Sequence, residues 1–436
     1  MWVPIVICCT TCVAMICSIL FFPKVRLGKV RLDTYWLITI VGAVFALIFG
    51  GAELSKVGEA LIADTAINPL KILVLFLSMT ILSIYLDELG FFRYLANVAL
   101  KRAKSGQKKL FLYLYITVSI LTVFTSNDII ILSFTPFICY FAKNAKINPI
   151  PYLAAEFVAA NTWSMALIIG NPTNIYLATA SGIGFLEYIK YSIIPTVFGG
   201  IVAFGALFLI FRKKLAEPMN AEIEDVVITD KLSLWVGIVH LAVCTVMLAV
   251  SSYVGIEMWL VSLCAVGSLF IFTGVISIVR RQKPQELIGC LKRAPYQLVP
   301  FVLSMFVMIV VLADAGVTEK IAELMGSDLP ILKYGVSSFF ASNLINNIPM
   351  SVLFSSIIEA SQGTAGIAAI FATVIGSNVG AFFTPIGALA GIMWGSIISK
   401  HNTKFGYLDF LKIGVTVALP TLLASLGGLW LAVSVF

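Results

Sequence analysis

The chain is 436 residues long, 60% hydrophobic and only 12% charged, with a formal net charge of +7. A water-soluble chain carries about 45–50% apolar and about 25% charged residues, so this much apolar surface has no single soluble core to hide in, and a membrane protein is the class that fits. Nucleic acid is not implied by the positive balance, because the basic residues come in short clusters between apolar runs rather than in one stripe on a polar face.

In chain order, the run 2–22 has no charge before it and is followed directly by Lys24 and Arg26. It reads as a span rather than a leader. Further spans follow at 34–52 and 69–86, with Asp87 and Glu88 closing the third. The stretch 91–109 sets Phe91, Leu95 and Val98 at helical spacing ahead of a basic end, the pattern of a helix lying on the membrane surface. The run 110–142 is interrupted by Thr125-Ser126-Asn127-Asp128, and 148–180 by Gly170-Asn171-Pro172-Thr173-Asn174. After a span at 188–211 comes a polar segment, 213–231, with Glu217, Glu222, Glu224, Asp225 and Asp230. Spans at 232–252, 257–278 and 295–313 open the second half. The run 331–361 is broken by Ser342-Asn343 and Asn346-Asn347, and 364–399 by Gly376-Ser377-Asn378 and Thr384-Pro385-Ile386-Gly387. A last span covers 409–436.

Polar breaks at bilayer depth survive only where protein or a water-filled cavity surrounds them. We therefore expect 110–142 and 331–361 to be re-entrant hairpins, and 148–180 and 364–399 to be broken helices that still cross. With residue 1 outside, the inside segments then hold 24 of the 29 Lys and Arg residues, leaving Lys56, Lys71, Lys190, Lys320 and Lys333 outside. That imbalance follows the rule that cytoplasmic loops are positive. The expected fold is an all-α polytopic membrane protein with ten transmembrane helices and two re-entrant hairpins. It comprises two inverted repeats, 1–212 and 232–436, joined by a cytoplasmic linker, 213–231. The expected place is the cell's inner (plasma) membrane, multi-pass among the lipids, with both termini outside.

The halves echo each other. Leu86-Asp87-Glu88-Leu89-Gly90 matches Leu312-Ala313-Asp314-Ala315-Gly316, Asn127-Asp128 matches Asn346-Asn347, and Asn171-Pro172-Thr173-Asn174 matches Thr384-Pro385-Ile386-Gly387. Paired broken segments in an inverted repeat point to a transporter binding site. Breaking a helix frees backbone N–H and C=O groups, and half-helix N-termini attract anions or oxygen-rich solutes. The candidate substrate residues are Asn127, Asn171, Pro172, Thr173, Asn174, Asn346, Asn347, Asn378, Thr384, Pro385 and Gly387. Asp128 lies deep in an apolar run, where an ionisable group is costly and by default functional; it is the candidate proton or coupling residue. Asn127 and Asp128 also suit plain N-caps of the helix that follows. Asp87, Glu88 and Asp314 are candidate gates, with capping or pairing to Arg93 as the plain reading of the first two. Most of the eight cysteines lie in apolar runs, where thiols act as small hydrophobes. No cofactor or metal site is expected.

At these motifs the chain resembles the ion transporter superfamily, and within it the arsenical pump membrane protein (arsenite efflux permease) family. The likeness rests on Leu86-Asp87-Glu88-Leu89-Gly90-Phe91-Phe92, Ser126-Asn127-Asp128 with Thr135-Pro136, and Leu291-Lys292-Arg293-Ala294-Pro295-Tyr296-Gln297. It continues in Asn346-Asn347-Ile348-Pro349 and Thr384-Pro385-Ile386-Gly387-Ala388-Leu389-Ala390. It departs at Asn171-Pro172-Thr173-Asn174, where that family has an Asn-Leu-Val-Asn type of break, and at Asn378, where an acid is expected. The resemblance implies metalloid efflux driven by the proton or electrical gradient, with or without an arsenical ATPase subunit. The alternatives are a sodium/proton antiporter or a small-anion (carboxylate) carrier on the same scaffold. A membrane-embedded enzyme finds no support: there is no H-E-x-x-H, no paired catalytic acids in a span and no Ser/His constellation.

Overall fold

The computed structural model of the protein describes every residue except 1, 28–29, 64–67, 104–105, 220–225, 362, 364–365, 402 and 404. Lys29, Lys104 and Lys404 of the inside basic set, and Glu222, Glu224 and Asp225 of the linker, lie outside the described residues. The first half comprises α1 (Trp2–Phe21), α2 (Thr34–Phe49), α3 (Leu54–Ile62), α4 (Pro69–Glu88), α5 (Phe91–Ala103), α6 (Gln107–Phe124), α7 (Asn127–Asn144), α8 (Ile150–Trp163), α9 (Pro172–Ala180) and α10 (Phe185–Phe211). The second comprises α11 (Lys231–Val254), α12 (Met258–Val279), α13 (Gln285–Arg293), α14 (Leu298–Asp314), α15 (Val317–Met325), α16 (Pro330–Ile345), α17 (Asn347–Ala360), α18 (Gly366–Gly380), α19 (Leu389–Lys400) and α20 (Tyr407–Val435). The protein is an all-α polytopic membrane protein, and eight helical segments among the described residues are long and apolar enough to cross a bilayer. One of these is α6, so the length of that arm does not by itself separate a hairpin from two crossings.

The helix boundaries follow local chemistry. Asn68 caps α4, its Oδ1 accepting from the N–H groups of Leu70 (2.9 Å) and Lys71 (3.2 Å), with Pro69 in the first turn. Asp230 caps α11 through the Ser233 N–H at 3.1 Å, and Gly255 ends that helix in the left-handed region at φ +70°. Several elements depart from the sequence expectation, which named none of the short helices α3, α13 and α15. The segment between α1 and α2 is a two-stranded antiparallel ribbon, β1 (Lys24–Leu27) with β2 (Val30–Asp33), where a plain basic loop was expected. Its alternating charged and apolar residues have the period of a strand.

The order of elements is the same in both halves: two apolar helices, a short amphipathic one, a core helix, a second short one, two successive helices meeting at a polar tip, two helices separated by a break, and a final long helix. Packing between the halves is reciprocal. Helix α2 lies on α14 as α12 lies on α4, α3 on α14 as α13 on α4, and α7 on α19 as α17 on α9, while α10 and α20 pack on each other. Burial does not track hydropathy. The apolar window of α4 is 72% buried and that of α11 only 28%, so α11 faces lipid and α4 belongs to the core. Between α16 and α18 the backbones come close because Gly376 and Gly380 face Ser338 and Ser342; a Cβ on Gly376 would collide with the Ser338 hydroxyl and the Gly335 carbonyl. Small residues spaced four apart are the usual means of close helix approach in membranes.

Candidate functional site

The breaks expected from the sequence are present, and their polar residues form three hydrogen-bonded groups. The first lies where α9 meets α18. Asn171 donates through Nδ2 to Asn378 Oδ1 at 2.9 Å, and Asn378 donates through its own Nδ2 to Asn174 Oδ1 at 2.7 Å. The Ser164 hydroxyl also donates to Asn378 Oδ1 (3.0 Å), and that of Ser377 to Thr173 Oγ1 (2.9 Å). Asn171 also caps α9, accepting from the Thr173 N–H at 3.1 Å, with the half-buried Pro172 as first helical residue. All six polar side chains are buried. The group therefore fastens one broken helix to the other, and its amides are largely satisfied by protein.

The second group lies at the tip of the α16–α17 pair. Thr384 donates to Asn343 Oδ1 at 2.6 Å, and Asn343 donates to the Phe339 and Gly380 carbonyls. Asn346 adopts φ +71°, donates to the Ile386 carbonyl at 3.2 Å and caps α17. The N–H of Asn347 donates to the Gly387 carbonyl at 3.0 Å. Residues Thr384–Gly387 thus form the turn before α19 and hold the tip of the neighbouring pair. The left-handed backbone of a non-glycine residue at Asn346 is strained and persists because the surroundings fix it.

The third group is the tip of the α6–α7 pair. Asn127 donates through Nδ2 to Asn161 Oδ1 at 3.0 Å, and Asn161 donates to the Phe157 carbonyl at 2.8 Å. The expectation that Asn127 and Asp128 act as caps is corrected here. Helix α7 already begins at Asn127, its N-cap is Ser126, and no side chain caps it. Asn127 Oδ1 and Ser126 Oγ are buried without a partner, and Asp128 stands half-buried in the first turn. An uncapped helix N-terminus with free buried acceptors beside it leaves hydrogen-bonding capacity over at this tip. Near the breaks of α9 and α17 a cavity of about 20 Å³, lined by Pro172, Tyr176, Ile348 and Ser351, is large enough for about one water.

The candidate gates lie at the ends of the molecule. Arg293 of α13 holds Asp87 at 2.5 Å and Glu88 at 2.6 Å, both at the end of α4. The partner expected from the sequence, Arg93, is replaced by a residue of the other half, which only the tertiary packing brings near. The equivalent pair elsewhere is Lys56 of α3 with Asp314 at the end of α14, at 2.9 Å.

The sequence reading missed Asn161 and Ser164 altogether. It saw Asn343 and Ser377 as break residues without counting them in the site. It also passed over Glu156, fully buried in α8, although the argument used for Asp128, an acid inside an apolar run, applies to it equally. Among the described residues no group of three or more His, Cys, Asp or Glu could hold a metal ion.

An arsenical pump membrane protein of Escherichia coli is 28% identical over 92% of this chain and 94% of its own length. That of Escherichia coli strain K12 is 29% identical over 82% of this chain and 86% of its own length. A putative arsenical pump membrane protein of Bacillus subtilis strain 168 is 24% identical over 90% and 93%. Among solved structures, the YdaH transporter of Alcanivorax borkumensis, described as having an unusual topology, aligns with a TM-score of 0.57 over 99% of both chains at 14% identity, a likeness of fold. The model of the citrate transporter family, CitMHS, matches residues 27–376. The chain therefore belongs to the citrate transporter family and is a membrane transporter, not an enzyme.

Proposed function

We propose that the chain is a secondary active transporter that exports arsenite or antimonite, driven by the proton or membrane-potential gradient, with Asp128 as the residue that couples transport to the ion. The observation that carries this reading is the tip of the α6–α7 pair. There a buried, uncapped helix N-terminus stands beside the unpartnered oxygens of Asn127 and Ser126, with one carboxylate in the first turn. Such a site offers donors and acceptors to a small, neutral, oxygen-rich solute, and arsenite at neutral pH is largely the uncharged trihydroxide. The names of the relatives point the same way.

The two halves act as inverted repeats about this site, 1–212 and 232–436, with 110–142 and 331–361 as re-entrant hairpins and 148–180 and 364–399 as broken crossings. The reciprocal packing of α2 and α3 on α14 with α12 and α13 on α4, and of α7 on α19 with α17 on α9, supports this arrangement. The end that carries Arg212, Arg280 and Arg293 faces the cytoplasm of a cell whose inner membrane holds the protein, and both termini face outside. Asn171, Pro172, Thr173, Asn174, Asn346, Asn347, Asn378, Thr384, Pro385 and Gly387 shape the walls and the hinges of the site.

A second reading, a carboxylate carrier, is favoured by the description of the family as citrate transporters. Against it, none of the three polar groups contains Lys or Arg. A tricarboxylate in a buried site needs cationic partners or coupled cations to offset its charge. Uptake into inside-out vesicles tests both, with arsenite, antimonite, citrate and sodium each supplied with and without a proton gradient. Gradient-dependent accumulation of arsenite or antimonite is expected. Accumulation of citrate alone would overturn the metalloid reading in favour of the second.

A further inference from the structure

Glu156 lies in α8, none of it exposed. Its Oε1 accepts a hydrogen bond from the Thr135 hydroxyl of α7 at 2.8 Å, and its Oε2 is buried with no partner. The indole N–H of Trp394 in α19, also buried and unpartnered, stands beside the carboxyl group. No Lys or Arg forms an ion pair with it among the described residues. The titratable group facing it from α7 is the Cys139 thiol. Helix α18 has no ionisable side chain, and no charged residue of α6 or α10 bonds to it. A bare carboxylate in such surroundings is costly, and one hydroxyl and one indole do not offset the charge. In such surroundings the neutral acid is the less costly form.

Its place in the fold gives that proton a route. Helices α7 and α8 are joined at two points: Asn127 with Asn161 at the hairpin tip, and Thr135 with Glu156 further along. Glu156 is five residues, about 7.5 Å, from Asn161 and six residues, about 9 Å, from the start of α8. It therefore stands between the tip and the end of the molecule that carries Lys143 and Lys146. The stretch Ala369–Thr373 of α18, at the corresponding place in the second half, has no acid, so the carboxyl group is as one-sided as Asp128.

We propose that Glu156 is a proton-binding residue that passes the coupling proton between the hairpin tip at Asn127–Asp128 and the basic end of the molecule. This rests on the transport reading above. An O–H bond forms at Oε2 when a proton arrives from water or from Asp128. The bond breaks when the gap between α7, α8 and α19 opens, and the proton leaves to water at the basic end. Because the same carboxyl group ties α7 to α8 through Thr135 and lies against α19, its charge state biases the position of the hairpin.

The test uses full-length protein in proteoliposomes with arsenite and antimonite as probes. Glu156→Gln keeps the shape and the Thr135 contact but cannot ionise. It is expected to lose gradient-driven accumulation by roughly ten-fold or more, and to alter the pH profile of the remaining exchange. Glu156→Asp is expected to restore accumulation with a displaced pH profile, which a purely structural role would not produce. Wild-type accumulation and pH dependence in Glu156→Gln would overturn the proposal. Should neither probe be transported by the wild type, the transport reading fails separately. Infrared difference spectra of the purified protein then decide: a protonated-carboxyl band that titrates with pH and is missing in Glu156→Gln supports the proposal, and an unchanged band overturns it.

Discussion

Asn127 has an amide whose nitrogen is used and whose oxygen is free. Its replacement by alanine removes one buried hydrogen bond to Asn161, a loss of about 1 kcal/mol in stability. The effect on transport should be much larger, because the free oxygen belongs to the proposed site. Asn127→Ala is expected to lower initial rates in vesicles by about ten-fold or more while the melting temperature in detergent falls by only a few degrees. Asp128→Asn separates binding from coupling. It is expected to bind and exchange substrate without accumulating it against a gradient, and normal pumping with normal pH dependence would reduce Asp128 to a polar residue of the helix start. Asp230 allows a pH prediction outside the membrane. Burial pushes its pKa up, but hydrogen bonds from Arg280 and from the Ser233 hydroxyl and N–H outweigh this and hold it at about 2. The folded-state pKa is thus below the ordinary value of 3.8, so the cap stabilises the fold above that value and is lost as pH falls through about 2. Melting curves of wild type and Asp230→Asn should differ at pH 5 and converge toward about pH 2.

At the scale of elements, the short amphipathic helices α3 and α13 carry the cations that close the ends of α14 and α4. Arg293 is an exposed residue on the surface, and exposed pairs contribute only about 0–1 kcal/mol. Their value lies in position, since each joins the short helix of one half to the core helix of the other. Cys290, buried on α13 with its thiol near the Ile81 carbonyl, is a native reporter of that contact. Arg293→Ala is expected to speed alkylation of Cys290 severalfold, while Lys56→Ala, at the opposite pair, leaves it unchanged or slower. Equal rates in all three proteins would mean that the pairs do not gate. The polar groups at the breaks behave differently. The Asn171–Asn378–Asn174 set is internally satisfied, so its substitution should cost stability first.

For the molecule as a whole, the reciprocal packing of the two halves and the α10–α20 contact suit a rocking motion of one set of helices against the other. The distribution of basic residues fixes the handedness we propose. A cysteine introduced at Lys213 is expected to react with an impermeant reagent only after the membrane is opened, and one at Glu323 in intact cells. The reverse pattern would invert the topology. At the same scale, four of the eight cysteines sit on α1, and among the described residues none of them hydrogen-bonds to a residue of the three polar groups. Replacing Cys8, Cys9, Cys12 and Cys17 should leave metalloid transport largely intact, because the proposed site uses amide and hydroxyl oxygens rather than thiolates.

The sequence by itself determined the class, the long apolar segments and the places where helices break, though not the short helices α3, α13 and α15 or the β-ribbon. Those properties are local: apolar length, proline, glycine and asparagine act on the chain within a few residues of themselves, and charge in the loops is read directly. It also named most of the polar residues at the breaks. What it did not determine was which of them meet. Asn378 binding to both Asn171 and Asn174, Arg293 reaching Asp87 across the two halves, and Thr384 holding Asn343 are contacts between residues far apart in the chain. Only the packed fold decides such contacts. For the same reason the sequence treated Asn127 and Asn171 alike, whereas the tertiary structure gives one a partner for each end of its amide and leaves the other with a buried, unused oxygen. Glu156 was legible as an acid in an apolar run. That it is fully buried, with no ion pair among the described residues and with Thr135 of α7 as its hydrogen-bond partner, is a property of the packing alone.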